Sequence, residues 1–341
     1  MKRFQCCCGN EVFFENYSCV VCRCALGFDP DTLQIHALLP RSAPNFESKV
    51  NGQIYRFCAN FTHNNACNWL IPESERNSLC KGCRLNRTIP DLEIAMNLRC
   101  WREIERAKKR LLYSLYSLHL PVIDQTQNPQ RGLLFDFMED SRTDLHNVED
   151  TVTTGHLNGV ITIDVLEADN LHREKTRQQM HEPYRTLLGH FRHEIGHYYW
   201  DYLFLQSKSR ASFRKVFGND QIPYAEALER YYRNSPLTGW EKNHISAYAA
   251  SHPLEDWAET WAHYLHMQDM LETARLRKIL ITPEFGDFDF DMQQWVELAI
   301  VANELNRSMG LPDVYPFVIN PNVRRKLNFI HRVVQNPIFV D

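Results

Sequence analysis

His193-Glu194-Ile195-Gly196-His197 is the stretch from which the rest of this chain is read. Histidines four residues apart lie on one face of an α-helix, about one turn from each other, where both rings can grip a single ion. Glu194 is offset by one residue and flanks that ion instead of binding it. This is the position of a general base that takes a proton from a water attacking a carbonyl. Around it, Leu188, Phe191, Ile195, Tyr198 and Tyr202 recur as an apolar stripe. Two imidazoles and a carboxylate on a buried helix are costly unless paired. Gly196 costs about 1 kcal/mol relative to alanine inside a helix, so its presence predicts that another element approaches closely there. His190, three residues before His193, is a rival ligand on the same face. Only His193 and His197 place Glu194 between the ligands, so His190 is assigned to their surroundings. The helix is predicted from about Pro183, a residue suited to a first turn, to Leu205.

A third histidine ten positions after the first is absent, because position 203 is leucine. The best source of a third ligand is Glu255-Asp256-Trp257-Ala258-Glu259. Glu255 and Glu259 share one face of a predicted helix whose other face carries Leu254, Trp257, Ala258, Trp261 and Leu265. Two carboxylates on an apolar helix need partners when buried. A metal and its histidines supply them, one carboxylate as ligand and the other fixing a histidine tautomer. Spacing leaves open which does which, and His263, His266 and Asp201 are alternatives. Tyr248, seven residues before Glu255, offers a hydroxyl for an oxyanion.

Ten of the 11 cysteines precede residue 84, the other is Cys100, and none follows it. The N-terminus has basic residues without an apolar run behind them, so no signal peptide is read there. No stretch reaches the roughly 18 apolar residues of a membrane span. The expected location is the cytoplasm, where thiols stay reduced and clustered cysteines bind metal. Cys19-Val20-Val21-Cys22 is one zinc knuckle, with Cys6 and Cys8 as its partners and Cys7 or Cys24 as possible substitutes. Cys80-Lys81-Gly82-Cys83 is a second, with Cys58 and Cys67. Cys100 is read as a helix-core residue. The expected cofactor is therefore zinc, with one catalytic and two structural ions.

The chain divides into a cysteine-rich region (1–90) poor in periodic pattern, a connecting helix (91–120) and an α-rich domain (121–341). The connecting helix is marked by Leu98, Trp101, Ile104, Leu111, Leu112 and Leu115, with Lys108-Lys109-Arg110 as a solvated face. In the last region Gly159–Val165 is β-branched and follows the turn signal Leu157-Asn158-Gly159. Further helical patterns cover 222–233, 254–273, 291–309 and 322–334. Apolar residues at 44% suffice for a real core, and a net charge of −4 gives no global attraction to nucleic acid or membranes.

The chain resembles the zinc-binding metallopeptidases of bacteria that carry an N-terminal zinc ribbon. The resemblance rests on Val12-Phe13-Phe14-Glu15-Asn16, Cys19-x-x-Cys22 and Leu26-Gly27-Phe28 in the ribbon. It continues through Cys80–Arg87 with Ile89-Pro90-Asp91, then His193–His197, the Glu255–Glu259 helix and Leu305-Asn306-Arg307-Ser308-Met309-Gly310. The catalytic segment is also similar to gluzincins, lethal-factor-type proteases in particular. The resemblance implies an α+β fold, mostly α, with a small zinc-ribbon module and a zincin-like metallopeptidase domain. It implies Glu255 as third ligand, Glu259 as the carboxylate orienting a ligand histidine, Tyr248 at the oxyanion, and a peptide or protein substrate. It further implies an edge strand above the metal helix, for which Gly159–Val165 is the candidate. The alternative is a binding protein whose cysteine modules hold a nucleic acid or protein while the large domain is non-catalytic. Few basic residues adjoin Phe4, Phe13, Phe14 and Tyr17, which argues against nucleic acid.

Overall fold

The computed structural model describes residues 2–139, 154–179, 182, 184–205, 207–234, 237–280 and 287–336. The fold is α+β, with helix predominating. It comprises two compact units, Met1–Thr176 and Arg177–Asp341. No helix among the described residues is long and apolar enough to cross a membrane.

The first unit opens with a short antiparallel pair, β1 (Phe4–Gln5) and β2 (Glu11–Val12). A five-stranded antiparallel sheet follows in chain order: β3 (Ala25–Asp29), β4 (Gln34–Pro40), β5 (Phe46–Ser48), β6 (Ile54–Phe57) and β7 (Leu70–Pro72), with the short helix α1 (Ala59–Thr62) between the last two. Periodicity does not reveal this sheet. Its strands are three to seven residues long, and β4 buries Ile35, His36, Ala37 and Leu38 in succession, so the in-out alternation of a half-exposed strand is missing. His36 is accommodated inside by a 2.9 Å hydrogen bond between its Nδ1 and Ser48 Oγ.

A second sheet has the order β10-β11-β9-β8. It is formed by β8 (Asn86–Thr88), β9 (Leu134–Met138), β10 (Gly155–Leu157) and β11 (Val160–Asp164), and α2 (Ala95–Ser117) connects the parallel strands β8 and β9. This sheet joins residues on either side of the connecting helix, so the regions 1–90, 91–120 and 121–341 do not coincide with the two units. Leu157 pairs with Val160 across Asn158 and Gly159, whose φ values of 50° and 86° are those of a type I′ hairpin turn. β11 is flanked by β9 and β10, which corrects its assignment as an edge strand. Antiparallel pairing with Gly155–Leu157 on one side and parallel pairing with Leu134–Met138 on the other leave β11 no free edge.

On α2, Trp101, Ile104, Leu111, Leu112 and Leu115 are buried. The basic run is corrected in part: Lys108 and Lys109 are buried as well. Their Nζ atoms lie 2.6 and 2.8 Å from the carboxylate of Glu105, one turn earlier, which is what lets two cations enter the interior. Arg110 is more exposed and pairs with Glu15.

After α3 (Asn170–Gln179), the second unit is built from α4 (Leu187–Phe204), α5 (Arg210–Phe217), α6 (Tyr224–Asn234), α7 (Pro253–Leu276), α8 (Phe288–Ser308) and α9 (Pro321–Gln335). Pro183 lies outside the described residues. The α4 N-terminus is set by Thr186, whose hydroxyl accepts the Gly189 N–H at 3.0 Å. α7 begins at Pro253, with His252 Nδ1 accepting the Leu254 N–H and Nε2–H donating to the Ile222 carbonyl. α4 is wrapped on more of its circumference than one stripe. Arg192, His193, Glu194, Tyr199 and Trp200 are buried, while Tyr202 faces solvent and Leu188 is half-buried.

The two long helices meet at Gly196. A Cβ there would stand 3.0 Å from Ala258 Cα and 3.2 Å from Trp261 Cβ. The Gly196 carbonyl accepts the Trp257 indole N–H at 2.8 Å, and Trp261 stacks on Tyr199 with centroids 4.9 Å apart. Gly196→Ala is therefore expected to destabilise the protein, because forcing a methyl between backbones costs about 1–3 kcal/mol against a helix-propensity gain of about 1 kcal/mol. A thermal melt checks this. A higher melting temperature would show that the helices yield freely at this point.

Candidate active site

The close crossing at Gly196 brings α4 and α7 together with their polar faces matched. His193 Nε2 lies 3.0 Å from Glu255 Oε2 and 3.2 Å from His197 Nε2, and His197 Nε2 lies 3.3 Å from Glu255 Oε1. Four ligands about 2.0 Å from a tetrahedral centre are about 3.3 Å from one another. The three residues thus present two imidazole nitrogens and a carboxylate at the spacing of zinc ligands. Neither His190, Asp201, His263 nor His266 belongs to this group. His263 is engaged with Tyr315 Oη at 2.7 Å, and His266 with Arg192.

Around these three, other groups set orientation. Glu259 Oε1 is 2.7 Å from His193 Nδ1, an acceptor that would hold a proton on Nδ1 and leave Nε2 to face a metal when one is bound. Ser246 donates to the other Glu259 oxygen at 2.6 Å. Tyr224 donates to Glu255 Oε1 at 2.7 Å. Sequence reasoning missed both partners. Ser246 sits in the same short segment as Tyr248, but Tyr224 carries no local signal and reaches Glu255 where its ring meets that of His252, the residue before α7.

The electrostatics favour positive charge at this point. Burial disfavours an imidazolium at His193, but hydrogen bonds to Glu255 and Glu259 outweigh it and hold its pKa well above the usual histidine range. Burial likewise penalises the Glu255 carboxylate, yet the charge of His197 and the hydrogen bonds of both histidines keep it well below the usual range. A buried acid pair that stabilises a cation between histidines is a donor set suited to a divalent ion.

Glu194 is buried, and its Oε2 has no hydrogen-bond partner among the described residues. Its other oxygen is 3.9 Å from His190 Nε2. Tyr248 opens a short 3₁₀ turn before α7, with its ring 5.9 Å from that of His193. Burial, and then the neighbouring Glu255 carboxylate, push its phenol well up, so it stays protonated and able to donate.

The cysteines assemble in the first unit. The Sγ atoms of Cys6, Cys8, Cys19 and Cys22 lie within 4.8 Å of one another, with Cys6–Cys22 at 3.4 Å and Cys8–Cys19 at 3.7 Å. Cys58, Cys67, Cys80 and Cys83 form a second such group, and all four are buried. Zinc–sulfur bonds of about 2.3 Å in a tetrahedron separate the sulfurs by about 3.8 Å, close to the 3.7 Å of Cys67 and Cys80. Backbone N–H groups point at the sulfurs: Cys80 N–H to Cys58 at 3.4 Å and Trp69 N–H to Cys67 at 3.3 Å. Four thiolates around one divalent ion would carry a net charge of −2. Lys109 answers it: burial opposes its charge, but Cys67, Cys83 and Glu105 hold its pKa well above normal. Cys100 is buried on α2 and belongs to neither group.

Residues 97–333 match the model of a family described as "Putative zinc-binding metallo-peptidase", and residues 3–94 match that of a zinc-ribbon domain. Uncharacterised proteins of Mycobacterium bovis and of two Mycobacterium tuberculosis strains are each 40% identical over 344 residues. The match covers 98% of this chain and 95% of each relative. No solved structure matches.

Proposed function

From the premise that this chain belongs to the zinc-binding metallo-peptidase family, matched over residues 97–333 behind a zinc-ribbon domain, we propose that it hydrolyses peptide bonds, with Glu194 as general base. The observation that carries the reading is the convergence of His193 Nε2, His197 Nε2 and Glu255 within 3.0–3.3 Å, next in sequence to a buried carboxylate oxygen of Glu194 with no partner among the described residues.

In this reading His193, His197 and Glu255 hold one zinc ion, and the two cysteine groups hold one structural ion each. Bound there, zinc would supply a Lewis acid for a carbonyl and lower the pKa of water towards about 7. The residues do the rest. Glu194 accepts the proton of the attacking water at Oε2 and returns it to the leaving amine. Tyr248 donates its phenolic hydrogen to the oxygen that becomes negative. Glu259, held by Ser246, keeps His193 in the tautomer that binds metal, and Tyr224 fixes the rotamer of Glu255. The substrate is a peptide or protein.

The test pairs a peptide-library digest with elemental analysis of the same sample. Wild type is expected to cleave library members, and His193→Ala/His197→Ala to cleave none and to contain one zinc equivalent fewer. Unchanged metal content in the double variant would remove the ion from α4 and the peptidase reading with it.

A further inference from the structure

Two cysteines of the N-terminal module lie outside the four-sulfur groups, yet they are not remote from them. Cys7 Sγ is 4.0 Å from Cys24 Sγ and 3.9 Å from Cys6 Sγ. Cys7, Cys22 and Cys24 form their own set, with all sulfurs within 4.8 Å. Cys22 therefore belongs to two sets at once. We propose that Cys7, Cys22 and Cys24 bind a second zinc ion beside the one held by Cys6, Cys8, Cys19 and Cys22, with the Cys22 thiolate bridging the two. The proposal is independent of the peptidase reading, which concerns residues of the other unit.

The backbone builds this arrangement. Cys6 to Gly9 form a turn closed by the Gly9 N–H to the Cys6 carbonyl at 2.8 Å, and this turn carries three consecutive cysteines. The facing loop is closed twice, by Cys19 N–H to the Cys24 carbonyl at 2.9 Å and by Arg23 N–H to the Cys19 carbonyl at 3.0 Å. Arg23 takes a left-handed φ of 61°, and the chain reversal there returns Cys24 to the sulfurs of the turn. The Cys7–Cys24 separation is close to the roughly 3.8 Å edge of a zinc–thiolate tetrahedron.

Charge agrees with geometry. Six thiolates around two divalent ions leave a net −2, and Lys49 places its Nζ 3.8 Å from Cys24 Sγ. Loading the second ion takes one proton from Cys7 and one from Cys24 and releases both to solvent, Cys22 already being a thiolate. Three protein sulfurs leave a fourth position for water or an added thiol. Cys7 and Cys22 are exposed and Cys24 half-buried, so this ion is the first to leave on mild chelation.

The test uses the full chain in two forms. Zinc-replete wild type is expected to contain one equivalent more than Cys7→Ser/Cys24→Ser, and a weak chelator should remove that equivalent first. Cadmium-113 NMR of the metal-exchanged wild type should show, besides the unsplit signal of the Cys58, Cys67, Cys80 and Cys83 group, two thiolate-bound signals split by mutual coupling through Cys22, with the splitting lost in the variant. Because the NMR reading needs only wild type, a variant that fails to fold leaves the question answerable. Equal metal content in the two forms overturns the proposal. So does rapid native labelling of Cys7 and Cys24 as free thiols, or a mass two hydrogens lighter that maps to a Cys7–Cys24 disulfide.

Discussion

Glu194→Gln is expected to lower peptide hydrolysis by about 10²–10⁴-fold, the range general-base groups contribute, with metal content unchanged. Glutamine has the size and shape of glutamate but cannot take a proton. Glu194 is not among the groups that converge on the ion position, so its replacement leaves that donor set intact. Stability is informative in the same experiment. The buried Oε2 has no partner among the described residues, and an unsatisfied buried polar atom costs about 1–3 kcal/mol, more when charged. A neutral amide removes that charge, so the variant should melt no lower than wild type and may be measured at the same temperature. Full activity in Glu194→Gln would exclude the residue from the chemistry. Loss of zinc in step with loss of activity would instead make it a support for the ligands.

Cys80→Ser is expected to have the largest effect on stability. Cys80 stands with Cys58, Cys67 and Cys83 in a group buried on all four sulfurs. Structural zinc contributes about 10–16 kcal/mol to the folding of small zinc modules, of the order of a whole domain's stability. Without the ion, the positive charge of Lys108 and Lys109 is left buried with Glu105 as its one carboxylate partner among the described residues. The variant should contain one zinc fewer, and a limited digest should cut within Met1–Thr176 at protease levels that leave wild type whole. Cys100→Ser is the matched control, since Cys100 is equally buried but outside both groups; its cost should be about 1 kcal/mol, that of a small core substitution. Equal protease resistance for Cys80→Ser and Cys100→Ser would mean that the four-cysteine group does not hold the unit together.

Short-range periodicity accounts for what was legible in the sequence. Any helix through 193–197 places both imidazoles on one face, so the pairing of His193 with His197 needs no tertiary information. The same holds for Cys19-x-x-Cys22 and Cys80-x-x-Cys83, and for Asn158-Gly159, whose residues tolerate the positive φ that a hairpin turn requires. Gly196 announced a close approach, though not by which element.

What spacing could not reach are relations between segments far apart in the chain. Glu255 and Glu259 are equivalent on a helical wheel. They are distinguished only by the crossing of α7 over α4, which sets Glu255 against both Nε2 atoms and Glu259 against His193 Nδ1. Tyr224 enters through α6 and has no counterpart in any local pattern. Lys108 and Lys109 read as solvated because charge normally seeks water. Lys109 is held by Glu105 and by the sulfurs of Cys67 and Cys83, and Lys108 by Glu105 and Asn86, so each needs a partner more than twenty positions away. The five-stranded sheet escaped for a related reason: strands covered on both faces lose the alternation that marks a strand. Local sequence determined which groups could bind metal, because side-chain direction follows backbone period. Tertiary packing decided which of them meet, because only the burial of two apolar helix faces against each other brings distant ligands to 3.0–3.3 Å.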